Sequence, residues 1–171
     1  MTARRAPILC IALGAAVLAT APLARAETAP AVLSVTGEDG KVVVLTLKDL
    51  AALPQEAASI THEGKTAAFK GPLLTEVLKR VGAPLGPALR GPALSDVVIV
   101  TASDGYTVAL ALSDLEPSIR PGKAVLADAM ADGAPLGADG PLRLVVDGDL
   151  KPARSARNVI AIELRRLRAA H

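Results

Sequence analysis

The chain has 171 residues, about one domain's worth, of which 51% are hydrophobic and 21% charged, with a formal net charge of +2. Aromatic residues make up 1%, Phe69 and Tyr106 with no tryptophan, so sites that stack on a flat base, sugar or flavin have little to work with. The only cysteine is Cys10 and the only histidines are His62 and His171, which excludes disulfide frameworks and histidine-rich metal centres.

Residues 1–26 read as a secretory signal peptide. Arg4 and Arg5 precede an uncharged run from Ala6 to Ala24 that carries Pro7 and Pro22, and Ala24-Arg25-Ala26 is a small-x-small cleavage pattern. A retained membrane anchor is the alternative for such a run. Cleavage after Ala26 removes Arg4, Arg5 and Arg25 and no acid, leaving 16 basic against 17 acidic residues, a net charge of −1 over 145 residues. The expected location is therefore periplasmic or secreted, with no stable membrane anchor. The basic surface that would bind nucleic acid is missing, and Arg165-Arg166-Leu167-Arg168 reads as a solvated tail.

Residues 27–171 read as a mainly β domain. Ala31 to Thr36 and Lys41 to Thr46 flank Gly37-Glu38-Asp39-Gly40 and predict a hairpin. Thr46-Leu47-Lys48-Asp49 has a capping-box pattern opening a short helix to about Leu53, stopped by Pro54. Ala57 to His62 suits a strand, and Gly64-Lys65-Thr66 a turn into Ala67 to Phe69. The clearest helix is Pro72 to Val81, with Leu73, Leu74, Val77, Leu78 and Val81 on one face and Gly82 at its end. A Pro/Gly-rich loop over residues 82–95 leads to a hairpin, Val97 to Ala102 and Tyr106 to Leu112, turned by Ser103-Asp104-Gly105. Ser113-Asp114-Leu115-Glu116 reads as a second capping box. Strands near Lys123 to Ala129, Leu142 to Val146 and Asn158 to Leu164 complete the domain.

Common catalytic patterns are absent: no GxSxG, HExxH, CxxC or Walker loop occurs. A serine-histidine-acid triad would have to use His62, and nothing marks a nucleophile beside it. Asp139, Asp147 and Asp149 offer oxygen ligands for a hard cation, or are solvated turn acids. In DGAPLGADGPLRLVVDGD, residues 132 to 149, a single cation, Arg143, stands among four acids and four glycines just before an apolar run. Either it faces a site that holds an anion, or it is an ordinary surface charge at the start of a strand, or it forms a surface or structural salt bridge to Asp139 or Asp147.

The order of several weak motifs carries more than any one of them. Leu47-Lys48-Asp49-Leu50-Ala51-Ala52-Leu53-Pro54 is followed by Phe69-Lys70-Gly71-Pro72-Leu73-Leu74 with Val77-Leu78, and then by Asp104-Gly105-Tyr106. Next come Leu126-Ala127, Asp132-Gly133-Ala134-Pro135-Leu136, Gly140-Pro141-Leu142-Arg143-Leu144-Val145 and Ser155-Ala156-Arg157-Asn158-Val159 with Ile162 and Leu164. In this order the chain resembles the sulfite-oxidase-fold, molybdopterin-binding oxidoreductase domain, particularly its short exported forms. The resemblance covers about residues 33 to 164.

It implies an α+β, mainly β domain of the sulfite-oxidase type with a few short helices, and a pterin cofactor whose molybdenum takes one protein cysteine. That cysteine would lie within Gln55 to Ala68, where this chain has Ser59, Thr61, His62 and Glu63. A hydroxyl or imidazole is a different donor from a soft thiolate. Gly140-Pro141 lacks the preceding histidine of longer relatives, and Asn158 stands where they carry tryptophan. The residues the resemblance places at the cofactor cleft are Arg143, Arg157 and Ser155, with Thr61 and His62 as substitute ligands; no catalytic acid or base is among them.

Two expectations follow. One is a non-catalytic exported module, without the metal ligand, that binds a small anion or a protein partner such as the outer domain of a membrane sensor. The other is an oxidoreductase that retains molybdopterin without a cysteine ligand.

Overall fold

The computed structural model describes residues 31–167. The signal-peptide reading of residues 1–26 and the end of the basic run at Arg168 lie outside the described residues. The elements are β1 (Ala31–Thr36), β2 (Val42–Thr46), α1 (Leu47–Ala51), β3 (Gln55–His62), β4 (Lys65–Pro72), α2 (Leu74–Leu78), β5 (Asp96–Ala102), β6 (Thr107–Ala111), β7 (Ala124–Ala127), β8 (Ala129–Met130), β9 (Arg143–Val146) and β10 (Val159–Arg166), with short 3-10 turns between them. The domain is α+β and mainly β. No helix among the described residues is long and apolar enough to cross a membrane.

The strands form three sheets, ordered β2-β1-β10-β5-β6, β3-β4-β8 and β7-β9. In the five-stranded sheet β1 and β10 run parallel and the other neighbours antiparallel. The capping box at α1 forms with both halves: Asp49 N–H donates to Thr46 Oγ1 at 3.2 Å and Thr46 N–H to Asp49 Oδ2 at 2.9 Å. The Thr46 hydroxyl, donating to Asp49 Oδ2 at 2.7 Å, and then the Thr46 backbone N–H hold the Asp49 carboxyl below its ordinary value.

Two cores share one wall. β7 and β9 are buried at every position, so their sequences read as unbroken apolar runs, and their side chains alternate between two clusters. Leu126, Leu144 and Val146 join the main core with Leu33, Leu50, Leu74, Leu78, Val98 and Ile162. Val125, Ala127 and Val145 point the other way, onto Ala58, Ile60 and Phe69 beneath the β3-β4-β8 sheet. By the same alternation Arg143 falls on the Phe69 side. Gly71 lets β4 pass against β7, because a Cβ there would lie 2.2 Å from the Leu126 carbonyl oxygen.

Several local expectations change in detail. β4 stays paired with β3 as far as Pro72, so the following helix is only α2, continued by a 3-10 turn over Lys79–Val81 and ended by left-handed Gly82. Its apolar face is buried as expected, except that Leu73 turns to the second cluster. The β3–β4 turn is Glu63-Gly64, both at positive φ, a two-residue connection matching strand twist. Ser113 caps nothing: the turn at Leu112–Leu115 starts from Ala111, and Glu116 instead accepts from Gly86 N–H at 2.9 Å. That bond, above all, lowers the Glu116 carboxyl. The basic C-terminal run is not a solvated tail either. Arg165 and Arg166 lie in β10, and Arg166 grips Asp96, which is 0% exposed.

Candidate functional site

Arg143, Arg157 and Asp139 are brought together by a zipper between residues 138–144 and 156–159. Leu144 N–H donates to Ala156 O at 2.8 Å, Val159 N–H to Leu142 O at 2.9 Å, and Asn158 N–H to Asp139 O at 3.0 Å. The Asn158 amide also donates to Ala138 O at 3.0 Å. Asn158 holds φ 50, a left-handed conformation that asparagine tolerates better than a bulky residue. Asp139 ends a 3-10 turn over Gly137–Asp139 and thus projects into the angle between the two arginines.

Arg143 is 7% exposed. Its guanidinium carbon sits 4.8 Å from the centre of the Phe69 ring, a cation–π contact within the second core. Nη1 donates to Asp139 Oδ2, whereas Nε has no hydrogen-bond partner among the described residues. An unpaired buried donor costs free energy, so a polar group completing it would be favourable. Burial pushes the guanidinium below its ordinary value, Asp139 pulls it back, and Arg157 repels it. Arginine remains charged under such shifts.

Arg157 is the exposed member, with 64% of its side chain open, and its Nε lies 3.1 Å from Asp139 Oδ1. The Asp139 carboxylate is thereby divided between two guanidiniums, one acid for two cations. Beside Arg157 opens a cavity of ≈ 230 Å³ lined also by Asp104, Tyr106, Ala153 and Ser155. Tyr106 is 48% exposed and its hydroxyl donates to Ala153 O at 2.6 Å, fastening the β5–β6 hairpin to the turn over Pro152–Arg154.

The other candidates lie apart or are engaged elsewhere. Ser155 is buried and its hydroxyl accepts from Val146 N–H at 3.2 Å. Thr61 and His62 are exposed near the tip of the β3–β4 hairpin, where Thr61 Oγ1 lies 2.9 Å from Thr66 Oγ1 and His62 Nε2 3.8 Å from Glu63 Oε1. Thr66, opposite Thr61, is three residues from Phe69, roughly 10 Å along the strand. Asp139, Asp147 and Asp149 form no cation cage. Asp149 pairs with Arg154 and Arg120, Asp147 accepts weakly from Ser59 at 3.4 Å, and no metal-binding group of His, Cys, Asp and Glu occurs among the described residues.

The fold itself has a known counterpart. Superposition aligns the chain with the sulfane dehydrogenase SoxCD from Paracoccus pantotrophus at a TM-score of 0.57 and 16% sequence identity, covering 78% of this chain. The chain spans 37% of the length of that neighbour. At that identity the likeness is one of fold. By sequence alone, no family model and no curated protein matches.

Sequence reasoning singled out Arg143 and Arg157 but missed that a single acid joins them. The spacing of Asp139 and Arg143 made a pair conceivable; nothing local showed that Arg157 would arrive on the same carboxylate. Asp128 was also missed. Burial between β7 and β8 raises its carboxyl above the ordinary value, against smaller lowering influences of its own backbone N–H and of Lys70.

Proposed function

We propose that this chain is an exported, non-catalytic binding module of the sulfite-oxidase type, which holds a small oxyanion between Arg143 and Arg157. The observation that carries this reading is the imbalance at Asp139: two guanidiniums meet one carboxylate, and the buried one keeps an Nε–H without an acceptor. Arginine's planar fork suits oxyanions, and the two guanidiniums share the single carboxylate of Asp139, while Asp104 across the cavity accepts from Tyr106 N–H instead. The neighbouring cavity supplies room on the Arg157 side.

The residues present do not fit a molybdenum–pterin group. The sequence carries no cysteine after Cys10. Thr61 and His62, the substitute donors, sit at an exposed hairpin tip, and the Arg143 fork faces Asp139. A hydroxyl or imidazole with no supporting second donor is a poor replacement for a thiolate. These features favour the binding module over an oxidoreductase that keeps its cofactor. A protein partner presenting an acidic side chain, such as the outer domain of a membrane sensor, would use the same arginines.

Thermal unfolding across an anion series at constant ionic strength tests the reading. Phosphate or sulfate is expected to raise the midpoint of the wild type by mass action, and Arg143→Ala or Arg157→Ala to abolish that gain. Equal shifts in all three proteins would reduce both arginines to structural residues. Stoichiometric molybdenum in protein produced in a molybdenum-replete host would favour the cofactor-bearing alternative.

A further inference from the structure

We propose that Asp139 is the resident anion of this site, filling in the free protein the place an external oxyanion takes, so that ligand binds by exchange against the chain's own carboxylate. The inference rests on the reading of Arg143 and Arg157 as an anion site and says how that site is kept closed.

The first ground is the division of the carboxylate. Oδ2 meets Arg143 Nη1 and Oδ1 meets Arg157 Nε, so one small acid bridges two cations as a bound ligand would. A second ground is that Asp139 can leave without unfolding anything. Its backbone is pinned by Asn158, which donates to both Ala138 O and Asp139 O, while its side chain is still 26% open to solvent. Rotation about side-chain bonds alone therefore carries the carboxylate into water, at the modest cost of reorienting a short, partly exposed side chain.

The third ground is what Asp139 fails to complete. It brings one negative charge and two oxygens to two guanidiniums, and Arg143 Nε remains unmatched. A tetrahedral oxyanion such as phosphate carries up to two charges and more acceptor oxygens, so exchange improves both the charge balance and the hydrogen bonding. The internal carboxylate, tethered at high effective concentration, still competes with it. Affinity in the free protein is lowered by the fraction of molecules in which Asp139 occupies the fork.

Isothermal titration of inorganic phosphate at constant ionic strength, into wild type, Asp139→Asn and the double variant Asp139→Asn/Arg143→Ala, tests this directly. Asparagine keeps the shape and the backbone contacts while removing the charge. The expected result is phosphate affinity about tenfold or more higher in Asp139→Asn, lost in the double variant. Asp139→Ser is a second variant that frees the fork by shortening the side chain, and it should tighten binding in the same direction. Equal affinity in wild type, Asp139→Asn and Asp139→Ser, with loss in the double variant, would overturn the exchange and leave the anion site standing. No phosphate binding by any of these proteins would overturn both.

Discussion

Two arginine–carboxylate clusters, built from the same chemical groups, are wired in opposite ways. At the end of β10 one arginine serves two acids: Arg166 reaches Asp96 through Nε at 2.7 Å and Nη2 at 3.0 Å, and Glu38 at 2.8 Å. There the acid is buried, and its cation closes against it in a bidentate fork. At the start of β9 one acid serves two arginines, of which Arg143 is buried with its Nε unmatched among the described residues. The first arrangement is closed and net negative, as a structural lock should be. The second is open by one positive charge and one donor, which is what a site for an external anion requires. Their pKa directions agree: hydrogen bonding to Asp96 raises the Arg166 guanidinium, whereas desolvation lowers that of Arg143.

Breaking the lock should have the largest effect. Arg166→Ala strands a carboxylate with no exposure, and leaving such a buried charge without its partner costs about 3 to 5 kcal/mol. Denaturant midpoints should fall accordingly, with no dependence on added phosphate. Gly71→Ala comes next, because its Cβ would collide with the Leu126 carbonyl and push apart the strands under the second cluster. Overpacking of this kind costs about 1 to 3 kcal/mol, and the same measurement reads it.

Arg143→Ala should cost less than either break suggests for a buried cation. Asp139 keeps Arg157 and part of its solvent, so the loss is chiefly that of the arginine stem and its contact with Phe69, about 1 to 2 kcal/mol. A loss as large as that of Arg166→Ala would make the two clusters equivalent and erase the contrast. The smallest effect belongs to Asp128. Its folded pKa is raised, so the ionised carboxylate opposes folding at neutral pH, and this penalty disappears as pH falls through the raised value. Asp128→Asn should therefore be slightly more stable than wild type at pH 7, with the difference vanishing in acid. Urea midpoints measured at the two pH values show the sign.

The hairpin strand of Val97 to Ala102 with its Ser103-Asp104-Gly105 turn, the capping box at Thr46 and the apolar helix face ending at Gly82 were legible because each is set by neighbours within a few residues. β7 and β9 were legible as strands, but not as the wall between two cores, because a run buried on both faces carries no alternation to reveal its sides. Ser113 misled for a related reason. Its spacing to Glu116 suits a capping box, yet Glu116 accepts instead from Gly86, thirty positions away in sequence. The same non-locality hid the Asp96–Arg166 pair, whose partners are 70 residues apart. Arg143 was recognisable as a cation out of place. Its meaning depended on Arg157 and Phe69, which only the paired segments bring to it.

The contrast between the lock and the proposed anion site is tested most directly by the arginine Nε–H signals in a nitrogen-edited NMR titration with phosphate at constant ionic strength. The signals of Arg143 and Arg157 are expected to shift together and saturably, at one apparent affinity, while that of Arg166 stays in place. Signals of Arg143 and Arg157 that remain fixed, or that drift without saturating in step with Arg166, would contradict the account.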